Sequence, residues 1–89
     1  MRAIVTVIGK DRVGINAEVC TLLAQNNVNI LDISQTILQD YFTMIMLVDA
    51  GQCRLPFSEF SRLMHDSGKK TSLEIHVQRE ELFNAMHKV

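Results

Sequence analysis

Residues 2–15, RAIVTVIGKDRVGI, change from a strand pattern to a helix pattern across one short loop. The segment Arg2–Ile8 is rich in β-branched and apolar residues on both faces, which predicts a central strand. A polar loop bounded by Gly9 and Gly14 follows. From Ile15 onward the apolar residues recur at helical spacing. The stretch therefore predicts a strand, a loop and an amphipathic helix in that order.

Two further strands are predicted after this helix. Asn26 and Asn27 indicate the end of the helix, because Asn tolerates the left-handed backbone found at many helix C-termini. The apolar and β-branched content then predicts strands over Val28–Gln39 and Tyr41–Asp49, with a tight turn at Asp40 between them.

The last third of the chain predicts a helix, a strand and a short helix. Pro56 suits the first turn of a helix, and Gly68 is its expected C-cap. The alternation of apolar and polar residues over Thr71–Gln78 predicts a fourth strand. Arg79–Lys88 begins with acidic residues and ends with a lysine, which is typical of a short terminal helix.

The element order βαββαβ leaves few topologies once the crossovers are right-handed, and the ferredoxin-like sandwich is the simplest of them. We expect one α+β domain over residues 1–89, with a core over 1–78 and a helical extension over 79–89. It would have a four-stranded antiparallel sheet with two helices on one face. The other face is also apolar, so a partner subunit or the terminal helix must cover it. We therefore expect a homodimer or a higher homo-oligomer.

Composition and charge argue against several classes of protein. The net charge of −1 provides no basic face for nucleic acid. No segment reaches the roughly 20 apolar residues of a membrane span, and no signal peptide is evident, so we expect a cytoplasmic protein without a membrane partner. The two cysteines fit no metal spacing and are expected to be reduced thiols, with Cys20 in the core and Cys53 in a loop.

An enzymatic role is the main alternative from another class, and the sequence does not favour it. His65, His76 and His87 are spread along the chain without metal-ligand spacing, so we interpret them as surface residues and expect no metal or cofactor. RNA-binding domains of the same element order need aromatic residues on the first and third strands, and the first strand has none.

The loop between the first strand and the first helix is the candidate binding site. Amide groups at a helix N-terminus have no intrahelical partner and favour an anion such as an α-carboxylate. Asp11 could accept hydrogen bonds from a ligand ammonium group, and Asn29 could both donate and accept. These groups suit a zwitterion. A turn in which Asp11 accepts hydrogen bonds from local amides would explain the same residues without a ligand.

The sequence DRVGI at residues 11–15 and NVNILDI at residues 27–33 resembles the ACT domain signature. In that family a D-R-P-G-I-like turn follows the first strand, and an N-I pair opens the second. The resemblance spans essentially the whole chain and is closest to the small stand-alone ACT proteins of the UPF0237 group. Two positions differ from the pattern, because Val13 replaces the common proline and Asp11 stands where some members have Asn.

The resemblance implies a non-catalytic, allosteric module that binds an amino acid or a similar small ligand at a dimer interface. Its output would pass to a regulated enzyme or a regulator protein. In ACT domains the ligand contacts the loop after the first strand of one subunit and the second strand of its neighbour. Carried over by position, the resemblance implicates Asp11, Arg12, Gly14, Ile15, Asn16 and Asn29. An ACT-like interaction scaffold without a small-molecule ligand is the alternative.

Overall fold

A computed structural model describes residues 1–86, so the predicted end of the terminal helix, including His87 and Lys88, lies outside the described residues. Every predicted strand and helix is present within that range, in the predicted order. In chain order the elements are β1 (Arg2–Lys10), α1 (Ile15–Gln25), β2 (Asn29–Leu38), β3 (Tyr41–Asp49), α2 (Phe57–Lys70), β4 (Glu74–Arg79) and α3 (Glu80–Met86).

The four strands form one antiparallel sheet in the order β2-β3-β1-β4. This is the predicted ferredoxin-like arrangement, and β1 is central, as its apolar sequence predicts. The register pairs Lys10 with Tyr41 at one end of the sheet and Arg2 with Asp49 at the other. The loop between β1 and α1 therefore lies at the Tyr41 end of the sheet.

The core lies between the two helices and one face of the sheet. Alternate residues of each strand point into it, as the two-residue period of a strand requires. The fully or almost fully buried side chains include Val5, Val7, Ile15, Val19, Leu23, Met44, Met46, Phe60 and Met64. Met44 and Met46 of β3 and Met64 of α2 thus fill the core.

The opposite face of the sheet, here called the open face, remains partly uncovered in one protomer. It carries Thr6 and Ile8 of β1 and Tyr41 and Ile45 of β3, which alternate with the core residues. The terminal helix α3 contacts β1 and β4, yet the Ile45 side chain is still 41% exposed. The described part of α3 does not cover the centre of this face.

Gly68 does not end α2, contrary to the prediction. The helix continues through it to Lys70, and Thr71 follows as the C-cap. Gly68 is buried, and a Cβ atom at this position would lie 2.7 Å from the Leu73 carbonyl oxygen. The glycine therefore permits α2 to pack closely against Leu73, the residue directly before β4. As a result, β4 begins at Glu74, three residues later than predicted.

The cysteines are both half-buried and unpaired, in agreement with reduced thiols. Cys53 lies in the loop between β3 and α2, as predicted, and its side chain also packs against the core. Cys20 lies in α1, but it is half-buried rather than a buried core residue. The Cys20 Sγ atom instead lies 3.5 Å from Asn16 Oδ1, one helical turn earlier. No helix within residues 1–86 is long and apolar enough to cross a membrane.

Candidate functional site

The loop between β1 and α1 is fixed at its start by a backbone hydrogen bond. The Asp11 amide donates to the Asp40 carbonyl oxygen at 2.8 Å, which ties the loop to the turn between β2 and β3. At its other end, Gly14 adopts a left-handed backbone with φ of 93°. L-residues rarely adopt this conformation, so the local fold depends on glycine.

The N-terminus of α1 carries amide donors without a capping side chain. Gly14 is the N-cap residue, and no side chain of residues 1–86 caps this end. The first intrahelical bond runs from the Glu18 amide to the Gly14 carbonyl oxygen at 2.9 Å. No atom lies within 4 Å of the position a Cβ would take at Gly14. The first-turn amides of α1 therefore lack a side-chain acceptor within residues 1–86, and an oxyanion could serve as one.

Asp11 is exposed next to this helix end. Its carboxylate accepts no hydrogen bond from any residue that the structure describes. The alternative in which Asp11 is satisfied by local amides is therefore not what the structure shows. A carboxylate in this position can accept hydrogen bonds from an incoming ammonium group.

Arg12 braces the loop from within the protomer. Its Nη2 atom donates to Glu18 Oε2 at 3.0 Å and to the Thr71 carbonyl oxygen at 3.4 Å. The hydrogen bond from Arg12 stabilises the charged carboxylate and lowers the pKa of Glu18 below its usual range. Arg12 thus connects the loop to α1 and to the end of α2, and its guanidinium is already engaged.

Asn16 is also engaged within the protomer. Its Nδ2 atom donates to Gln35 Oε1 at 2.8 Å, which links α1 to β2. Sequence reasoning did not identify Gln35. The sequence offers one indication of its role: Gln35 is a polar residue on the helix-facing side of β2, where it pairs with the core residue Met44. Ile15 is 2% exposed and belongs to the core, so only its backbone amide faces the site.

Asn29 lies far from the loop in a single protomer. It pairs with Asp49 at the end of the sheet opposite to Tyr41. At about 3.3 Å per strand residue, roughly 25 Å separate the two ends. Asn29 lines a separate groove of about 310 Å³ together with Asp49. The Gly51 amide donates to Asp49 and lowers the pKa of its carboxyl. The structure thus brings five predicted site residues together and leaves Asn29 apart.

The βαββαβ sandwich with its short β1–α1 loop defines the class of small ferredoxin-like α+β domains. The family model described as the ACT domain matches residues 2–78. The chain belongs to the ACT domain family. Within residues 1–86 no group of three His, Cys, Asp or Glu residues is placed to hold a metal ion.

Relatives extend this assignment over the full chain. A UPF0237 protein of Listeria innocua is 52% identical and is matched over 100% of both chains. The solved structure of an ACT domain protein from Streptococcus pneumoniae is 38% identical, with a TM-score of 0.83 and 98% of each chain covered. The regulatory subunit of aspartate kinase from Thermus thermophilus shares the fold at 20% identity and a TM-score of 0.66, over 86% of this chain and 50% of that one.

Proposed function

We propose that this chain is a non-catalytic regulatory module that binds an amino acid, or a similar small zwitterion, at the β1–α1 loop. The proposal rests mainly on one observation. Within residues 1–86, no side chain caps the N-terminus of α1 at Gly14, and the exposed Asp11 carboxylate of the same loop accepts no hydrogen bond. The helix amides favour the ligand carboxylate, and Asp11 favours its ammonium group. Opposite charges at the two ends of one small ligand match this arrangement.

The proposed site is completed by a second protomer. A two-fold axis perpendicular to the strands would reverse the strand direction of the neighbour. The neighbour's Asn29 end could then approach the loop that its own protomer leaves roughly 25 Å away. Apolar side chains on both faces of the sheet support association, because Ile45 of the open face is 41% exposed and Ile37 of the edge strand β2 is 53% exposed. A homodimer would thus bury apolar surface and supply the missing polar group.

The output of the module is proposed to pass through another protein. The Listeria innocua relative is matched over its whole length, so this pair shares one small domain. Ligand binding across a dimer interface changes the relative stability of the associated states. A regulated enzyme or a regulator protein that prefers one state would then respond to the ligand.

An interaction scaffold without a small ligand is the second candidate. One observation favours it: Arg12 and Asn16, two of the predicted ligand contacts, already have partners within the protomer. In that case the loop would serve to hold α1 against β2 and α2. The exposed apolar residues of the sheet would then contact a protein partner.

A thermal-shift screen against the twenty amino acids distinguishes the two candidates, because a ligand that prefers the native state raises its melting temperature. We expect a rise with one amino acid or a few related ones, and we expect Asp11→Ala to abolish it. Asp66→Ala is the matched control, since it removes an exposed carboxylate from α2. No rise with any amino acid would favour the scaffold, and an equal loss in both variants would exclude a specific role of Asp11.

A further inference from the structure

A second groove lies on the other side of the molecule, between α2 and the outer edge of β4. Its volume is about 810 Å³, and Phe83 of α3 forms part of its wall. β4 pairs only with β1, so its other edge faces this groove. None of the residues predicted for the β1–α1 loop site lines it.

One face of α2 supplies hydrogen-bond donors to this groove. Ser61 and Arg62 are adjacent in sequence, and each lies three or four residues from Ser58 and from His65, so the four residues share one side of the helix. From β4, His76 joins them, and its ring centroid lies 6.0 Å from that of His65. Five polar side chains therefore border one groove, and among them the Ser61 hydroxyl already donates to the Val77 carbonyl oxygen at 3.5 Å.

Among residues 1–86, Arg62 is the one formally charged side chain that lines the groove. No Asp or Glu within residues 1–86 lines it. Asp66 and Glu74 lie outside it, each 3.7 Å from a histidine nitrogen. No carboxylate within residues 1–86 forms an ion pair with Arg62. The guanidinium fork of Arg62 is therefore available to bind the two oxygens of a carboxylate or phosphate group.

Apolar side chains next to these donors would accommodate the body of a ligand. Ile45 of β3, Val77 of β4 and Phe83 of α3 contribute to the wall. A free inorganic ion would contact only the donors, whereas an organic anion would also cover this apolar surface.

We propose that this groove binds a small organic oxyanion, a phosphate monoester or a carboxylate, with its charged group at Arg62 and its apolar part against Phe83. This site is separate from the loop site and needs residues of one protomer only. It would give the module a second input that does not depend on the amino-acid site.

Amide NMR titrations at constant ionic strength test the proposal with phenyl phosphate, benzoate and the neutral analogue benzyl alcohol. We expect one of the two anions to shift the resonances of Arg62, His65 and His76, and the anion that binds more tightly identifies the charged group. We expect inorganic phosphate to bind more weakly than phenyl phosphate, because it lacks the apolar body. Shifts from neither anion, or equal shifts from benzyl alcohol, would overturn the proposal.

Variants separate the groove from general surface charge. We expect Arg62→Gln to weaken binding of the preferred anion by about tenfold or more, because a hydrogen bond to a charged group contributes on that order. His76→Gln should weaken it severalfold. Arg54→Gln is the matched control, since Arg54 is exposed in a loop outside the groove. An equal effect of Arg54→Gln would refute the site, while retained binding in Asp11→Ala would confirm its independence from the loop.

Discussion

At the scale of single residues, Gly14 shows how the loop depends on backbone conformation rather than on packing. Its φ of 93° disfavours any residue with a Cβ atom, although no atom lies within 4 Å of that position. Gly14→Ala should therefore lower the free energy of unfolding by about 1–2 kcal/mol through strain alone. Urea denaturation measures the loss. Gly14→Asn is the control, and its free energy of unfolding should fall by less, because Asn tolerates the left-handed region. An equal fall in the two variants would contradict this account.

The ion pair between Arg12 and Glu18 predicts a pH dependence at the same scale. Because the pKa of Glu18 is lowered in the folded state, its contribution to stability is present above the ordinary value of 4.5 and is lost as pH falls through the folded value. At neutral pH, Arg12→Gln should cost less than about 1 kcal/mol, because both side chains are more than a third exposed. The difference in the free energy of unfolding between wild type and variant should shrink progressively as the pH is lowered below 4.5, which urea denaturation over a pH series measures. A constant difference would show that Arg12 acts through packing or through Thr71.

At the scale of secondary-structure elements, Gly68 reports how closely α2 approaches the strand that follows it. A Cβ here would lie 2.7 Å from the Leu73 carbonyl oxygen and 2.8 Å from Ile75 Cγ1. Gly68→Ala should therefore destabilise the fold by about 1–3 kcal/mol, despite the higher helix propensity of alanine. The control is Gly51→Ala, whose added Cβ would approach only the Asp49 side chain and the Met1 nitrogen, and which should change stability by about 0.5 kcal/mol or less. Thermal unfolding of both variants tests the contrast, which a stable Gly68→Ala would contradict.

The same glycine marks the limit of prediction from sequence. Element type and order were predictable because hydrophobic period is a local property, as in the alternation that predicts β4. Gly68 is needed instead for the close packing of α2 against Leu73 and Ile75, which are contacts that the local sequence does not reveal. The local pattern therefore predicted a helix end that does not occur. The candidate site likewise has one part that could be predicted from local sequence and one part that could not. The loop and Gly14 follow from local sequence, whereas the bond from Asn16 to Gln35 spans 19 residues and left no periodic signal.

At the scale of the whole molecule, the exposed apolar residues of the sheet predict self-association. Ile45 lies at the centre of the open face, and α3 leaves it 41% exposed. We expect sedimentation at micromolar concentration to show no dominant monomer, because a second protomer removes such surface from water. A monomer at that concentration would rule out the dimer and, with it, a ligand site shared between protomers.

Two charge substitutions would locate the contact between protomers. Ile45 and Ile37 are both exposed β-branched residues of neighbouring strands, but the register places them on opposite faces of the sheet. If the open face forms the interface, Ile45→Lys should shift sedimentation towards the monomer, because burying an unpaired ammonium group is strongly unfavourable. Ile37→Lys should then leave the dimer intact. The reverse result would place the contact on the helix-facing side of the edge strand β2, near the hydrogen bond between Asn16 and Gln35. If addition of an amino acid restored the dimer of the Ile45→Lys variant, ligand binding and association would be coupled.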